Sequence, residues 1–239
     1  MDDKPKILFL DIETKPAIVA TFGIRDQHIG HKQILKNGGV ICTGLKWAGK
    51  GRAVVYSDWE HGHRQHLEIV RDALLESDAV ATYNGAAFDL PKLQGEFLLA
   101  GMQPVPQLTQ IDIYKAVRRL GFISNKLDYI APLLGLGGKI KHEGLELWLK
   151  VMDGCPKAQA RMARYCAGDV NLTERVYNRV RPFIATHPHL GVTQPRDCGA
   201  CQSSRTQARG FHRTKASIRQ RYQCQQCGSW SLGPAKRVA

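Results

Sequence analysis

A chain of 239 residues with 43% hydrophobic content holds one large domain, or one domain with a small appendage, and can bury a sizeable core, which excludes a disordered polymer. No apolar run reaches 18 residues, so no membrane-spanning helix is expected, and "MDDKPKILFL" has acids where a secretory signal carries basic residues, so a cytosolic protein is expected. The formal net charge of +13 is uneven: from Gly191 onward nine Lys/Arg face one acid, and such a surplus favours a polyanionic partner, most often nucleic acid.

The first element is an apolar run, Ile7 to Leu10, that ends in Asp11 and Glu13. In an extended chain these two carboxylates share a face and repel each other. Either the strand end is solvated, or a cation lies beside them: Arg, Lys or a metal ion. Next, "GGVICTGLKWA" and "RAVVYSDW" read as strands joined by the turn "GKGR", and "HRQHLEIVRDALLES" has helical spacing at Leu67, Val70, Leu74 and Leu75. "DAVATYN" reads as a short strand and "DLPKLQGEFLLAG" as a helix with Pro91 in its first turn. This order predicts a mixed α/β sheet covered by helices. From Ile111 the signal is helical, ending in a long helix after Pro156 that Gly168 is expected to bend or divide. "THPHLGVTQPRD" reads as a linker, so the expected domains are 1–188 and 189–239.

Two further acids stand out. Asp89 in "YNGAAFDL" opens a helix and reads equally as an ordinary N-cap. Asp169 lies four residues after Tyr165, on the same helix face. Asp11-Ile12-Glu13, Asn84-x-x-x-Phe88-Asp89 and Tyr165-x-x-x-Asp169 resemble, in order and separation, the three motifs of the DEDD (DnaQ-like) 3′→5′ exonucleases of the ribonuclease H-like superfamily. "NKLDYIAPLLGL" looks like the connecting segment of family-B polymerase proofreading domains, and Tyr165 places the chain in the Tyr subclass. The resemblance covers roughly residues 5 to 185.

The resemblance implies a ribonuclease H-like mixed sheet flanked by helices and a two-metal hydrolysis at 3′ ends of DNA, single-stranded or frayed. Asp11, Glu13, Asp89 and Asp169 would be ligands of two Mg²⁺ or Mn²⁺ ions, hard cations that suit oxygen donors. Tyr165 would orient the attacking water, since a phenol is a poor base at neutral pH. Asn84 would hold the terminal nucleotide by hydrogen bonds and Phe88 by packing, unless Phe88 belongs to the core. The same class allows an exoribonuclease, and a catalytically inactive nucleic-acid-binding module is the rival from another class. A separate DNA polymerase or replication protein is a compatible partner.

Other constellations carry less. His61, His63 and His66 in "HGHRQH" invite zinc, but read as a solvated turn before a helix because no carboxylate or Cys nearby completes a site. "GLGGKIKH" lacks the P-loop ending, leaving Lys139 and Lys141 as phosphate contacts or surface charge.

Of seven cysteines, Cys42, Cys155 and Cys166 are scattered and read as small buried residues. Cys198-x-x-Cys201 and Cys224-x-x-Cys227 form two knuckles with the spacing of a closed tetrahedral Zn²⁺ site. This segment has so few apolar residues that its folding should depend on the metal. It looks like the zinc ribbons of transposases and nucleic-acid enzymes, and its Arg/Lys residues, interleaved with Phe211, suit phosphate contacts and base stacking.

Overall fold

A computed structural model describes residues 5–23, 25, 28–190 and 196–237. The first four residues and positions 191–195 of the expected linker lie outside the described residues. The chain runs β1 (Ile7–Lys15), β2 (Ile18–Val19), β3 (Ile34–Lys36), β4 (Gly39–Trp47), β5 (Val54–Ser57), α1 (Asp58–His61), α2 (His63–Glu76), β6 (Ala79–Thr82) and α3 (Asp89–Leu99). It continues through β7 (Gln110–Asp112), α4 (Ile113–Arg118), α5 (Leu127–Leu133), α6 (Leu145–Met152) and α7 (Pro156–Val180). Four strands follow: β8 (Thr206–Arg213), β9 (Ser217–Cys224), β10 (Trp230–Leu232) and β11 (Lys236–Arg237).

The main sheet has the order β5-β4-β1-β6-β7, with β1 antiparallel to β4 and parallel to β6. The apolar residues of β1 alternate between two cores because successive side chains leave opposite faces. Leu8, Leu10 and Ile12 pack with Leu67, Val70 and Leu74 of α2 and with Leu90, Leu93 and Phe97 of α3. Ile7 and Phe9 pack on the other face with Val170, Leu172, Val176 and Tyr177 of α7. Asp11 and Glu13, by parity, continue the α7 face.

The architecture is the expected ribonuclease H-like one, with local differences. Gln110–Asp112 is an edge strand, parallel to β6, where the sequence reads as helix only. Its three residues run directly into α4, too few to show alternation. α7 is one continuous helix of 25 residues, so Gly168 does not divide it. A Cβ at Gly168 would lie 2.8 Å from Ile140 Cδ1, so the glycine serves the close approach of the loop before α6. The histidine stretch is not a solvated turn either: His63 and His66 lie on α2 and His66 is fully buried.

The β8–β11 sheet stands apart, with β9 pairing β8, β10 and β11. Its buried apolar set consists of Cys198, Ala200 and Cys224. It joins the segment after α7 where Leu190 N–H donates to the Gly199 carbonyl (2.7 Å) and Gln202 Nε2 to the Leu190 carbonyl (3.4 Å). Among the described residues no helix is long and apolar enough to cross a membrane.

Candidate active site

β1 pairs with β6 only as far as Phe9–Ala81. Beyond that pair the β6 side of β1 has lost its partner, and the Asp89 carboxylate fills the gap: Asp89 Oδ1 accepts from Ile12 N–H at 3.0 Å. Asp89 is therefore no N-cap. It is the first residue of α3, and its side chain ties that helix to a strand 77 residues earlier. The turn before it is set by Asn84, whose left-handed backbone (φ 73°) is held by Asp112 Oδ1 accepting from Asn84 N–H at 3.2 Å.

α7 brings the fourth acid. At Gly44, opposite Asp11 in the β1–β4 register, a Cβ would come within 2.7 Å of Val170 Cγ2 and 3.0 Å of Cys166 Sγ. The missing side chain lets α7 lie close enough for Asp169 to reach the acids of β1. Glu13, Asp89 and Asp169 are each at least nine-tenths buried.

Burial raises the pKa of all four carboxylates, and the neighbouring site acids add to it at Asp11 and Glu13. Burial, then the charges of Asp89, Glu13 and Asp169, hold Asp11 well above the usual carboxylate range. Burial and the Asp169 charge push Glu13 up to about 8, and burial, partly countered by the Ile12 N–H, takes Asp89 to about 6. Asp169 is raised by burial too, although Lys139 opposes the shift.

Lys139 is the charge that sequence reading left undecided. It is not simply a surface charge, being paired with an acid of the cluster. Its Nζ lies 2.7 Å from Asp169 Oδ2 and 5.0 Å from the centre of the Tyr165 ring. The ammonium is the cation beside the acids, and it satisfies one oxygen only: Asp169 Oδ1 is buried with no hydrogen-bond partner. The Tyr165 hydroxyl faces the same pair. Burial raises its pKa, and its ring is wedged edge-on against His142 (centroids 4.6 Å) and Trp148 (6.2 Å).

An orphaned carboxylate oxygen among three more acids fits hard divalent cations, which replace mutual repulsion with attraction. Cys166 Sγ lies within 4.8 Å of ligand atoms of Asp11 and Glu13. It is a poor candidate ligand, because its hydrogen bond to Cys42, together with burial, keeps the thiol protonated.

A cleft of about 320 Å³ opens over these residues, lined by Asp11, Asn84, Lys139 and Asp169 together with Tyr83, Tyr114, Lys126, Leu127 and Asp128. Asn84 thus lines the same cleft as Asp11 and Asp169. Phe88 is not core: it is 43% exposed, with Lys92 Nζ 5.9 Å from its ring centre. Tyr83 and Tyr114, edge to face at 6.0 Å, were missed by sequence reading. Tyr83 directly precedes Asn84, the one signal that could have marked it.

The second cluster is in the ribbon. The ligand sulfurs of Cys198, Cys201, Cys224 and Cys227 lie within 4.8 Å of one another, with Cys198–Cys227 and Cys201–Cys224 both at 3.6 Å. Zn–S bonds of about 2.3 Å in a tetrahedron separate sulfurs by about 3.8 Å, so these thiols fit zinc closely. Gln226 and Cys227 N–H groups donate to Cys224 Sγ (3.4 and 3.5 Å) and fix its position.

The fold is similar to that of a family B DNA polymerase from the hyperthermophilic archaeon Pyrobaculum calidifontis, with a TM-score of 0.57 and 21% identity over 74% of this chain. The similar region spans 25% of that polymerase. A search of curated proteins found no match. The family model described as the RNase_H superfamily matches residues 8–181, and the chain belongs to that superfamily.

Proposed function

We propose that the chain is a metal-dependent 3′→5′ exonuclease of the Tyr subclass that acts on DNA ends, single-stranded or frayed. The observation that carries this reading is the convergence of Asp11, Glu13, Asp89 and Asp169, with one Asp169 oxygen left unpaired. Superfamily membership supports a nuclease role.

Asp11, Glu13, Asp89 and Asp169 would hold two Mg²⁺ or Mn²⁺ ions. When bound, such ions activate a water for attack on phosphorus and stabilise the departing 3′-oxygen. Tyr165, fixed between His142 and Trp148, positions that water through its hydroxyl while staying protonated. Lys139 holds Asp169 in place and presents its charge to the phosphate. Asn84 holds the terminal nucleotide by hydrogen bonds, while Tyr83 and Tyr114 give its base or sugar an aromatic wall. Phe88, exposed beside Asp89, is available to stack.

Residues 189–239 act as a zinc ribbon that raises the local concentration of substrate. Its exposed aromatics sit under guanidinium groups, Phe211 under Arg213 (5.6 Å) and Trp230 under Arg221 (5.8 Å), a surface suited to phosphates and bases.

The test is incubation of 5′-labelled single-stranded DNA or RNA with wild type or Asp11→Ala, in Mg²⁺ or EDTA. A Mg²⁺-dependent ladder shortening DNA from its 3′ end, absent in the variant, is expected. A ladder on RNA alone makes the chain an exoribonuclease, and binding without cleavage makes it a binding module.

A further inference from the structure

On the sheet face away from the acids, α1 and α2 meet around a second set of side chains. His63 and His66, three residues apart on α2, share one helix face. Both turn Nδ1 toward Asp58 of α1: His66 Nδ1 is 2.8 Å from Asp58 Oδ1, and His63 Nδ1 is 3.0 Å from both carboxylate oxygens. The far nitrogens are also taken. His66 Nε2 is 2.9 Å from Thr43 Oγ1, and His63 Nε2 is 3.3 Å from Glu96 Oε2. Glu96 is itself fixed, its other oxygen accepting from Val40 N–H at 3.0 Å.

A neutral imidazole has one N–H and one lone pair. His63 lies between two carboxylates: an imidazolium would donate to both, whereas a neutral ring turns a lone pair toward one of them, where a metal ion can sit. The arrangement resolves if both rings give their Nε2–H outward, to Glu96 and Thr43, and turn both Nδ1 lone pairs inward beside Asp58. Outer oxygen acceptors that fix the tautomer of two converging histidines are the regular surroundings of metal-bound imidazole. The separations, which are also those of ordinary hydrogen bonds, leave room for an ion. Bonds of about 2.1 Å place neighbouring ligands of an octahedral ion about 3 Å apart, matching the 2.8 and 3.0 Å found here.

We propose that Asp58, His63 and His66 form a divalent transition-metal site, with Glu96 and Thr43 as its outer hydrogen-bond acceptors. Two nitrogens and one carboxylate favour Zn²⁺, Co²⁺, Ni²⁺, Mn²⁺ or Fe²⁺ over Mg²⁺. His63, 42% exposed, gives the ion its entry, and His66, fully buried, anchors it to β4. The site is separate from the acid cluster: Thr43 is the register partner of Ile12, which packs against α2 and α3, whereas Asp11 and Glu13 face α7. It clasps α1 and α2 to β4 and, through Glu96, to α3.

The test uses the full chain carrying Asp11→Asn and Asp169→Asn, which weakens the acid cluster as a competing cation site. Co²⁺ titration is followed by absorbance and by elemental analysis after desalting. The ribbon cysteines give intense thiolate charge-transfer bands, and the proposed site gives weak d–d bands without them. Adding His63→Ala is expected to lower bound Co²⁺ by one equivalent and remove the weak bands, leaving charge transfer and circular dichroism unchanged. Asp58→Asn should act in the same direction. Equal stoichiometry and spectra in the parent and both variants would overturn the proposal.

Discussion

The acid cluster draws its side chains from β1, α3 and the middle of α7, while the four cysteines all fall between Cys198 and Cys227. The acids are set by a scaffold with two apolar cores, and that scaffold keeps them together against their own repulsion. Among the described residues the ribbon's buried apolar set is three small residues, two of them cysteines. The contrast is one of dependence: the α/β fold sets its acids with two apolar cores, whereas the proposed zinc would have to supply most of what holds the ribbon.

The largest effect that would break this contrast is on the ribbon. Structural zinc contributes about 10–16 kcal/mol in small domains, more than a sheet with so small a core can replace. Cys224→Ser or strong chelation should collapse the dispersed amide signals of residues 196–237 in a ¹⁵N spectrum and leave those of β1, β4 and α7 in place. A ribbon that stays folded without metal would remove the contrast.

The acid cluster should respond in the opposite sense. Asp11→Asn is expected to cut cleavage on the order of 10²–10³-fold, the usual cost of losing one preorganised electrostatic group. Yet the change removes a charge that Asp89, Glu13 and Asp169 all repel. Without divalent ions the variant should therefore melt higher than wild type. With about 2–4 °C of Tm per kcal/mol at this size, a rise of a few degrees is expected in calorimetry. A variant that is less active and also less stable would mean that Asp11 is held by contacts rather than strained by charge.

The pH dependence sharpens the same point. Glu13 is raised from 4.5 to about 8 and Asp89 from 3.8 to about 6, both chiefly by burial. A folded state that holds its protons more tightly than the unfolded chain is stabilised by them at acid pH. That contribution is complete below the unfolded values and is lost as pH rises through the folded ones. The metal-free Tm should accordingly receive a falling contribution between about pH 4 and pH 8. Mg²⁺ displaces those protons, so the gain in Tm on adding it should widen over the same interval. Thermal shift with and without 10-fold excess Mg²⁺ over its midpoint concentration reads both slopes, and a constant gap would contradict them.

How much was legible follows from the same division. The cysteine set is written as two short spacings, and the acids as motifs on recognisable elements, so both could be read from the chain. What could not be read depends on contacts between distant segments. Asp89 looks like an N-cap until its Ile12 partner is known. The three histidines look solvated until Asp58 and Glu96, one on the preceding helix and one on α3, are seen to bracket His63. Lys139 lies in a stretch without regular structure, and no periodicity ties it to Asp169. Gly168 was read as a place where the helix bends or divides, and no helical spacing reveals that its close neighbour across space is Ile140 in the loop before α6.

Gly168→Ala is the subtlest way to probe how the scaffold sets the acids. Alanine should gain about 1 kcal/mol of helix propensity in the middle of α7. Its Cβ would press within 2.8 Å of Ile140 Cδ1, the end of a side chain that is 44% exposed and free to swing away. Stability should therefore change by less than about 1 kcal/mol in either direction. Ile140 moves the loop that carries Lys139, however, and Lys139 must stay 2.7 Å from Asp169 to keep that carboxylate aligned. The expected outcome is a several-fold loss in kcat with Tm almost unchanged, and a rate equal to that of wild type would show that the loop tolerates displacement without disturbing Asp169.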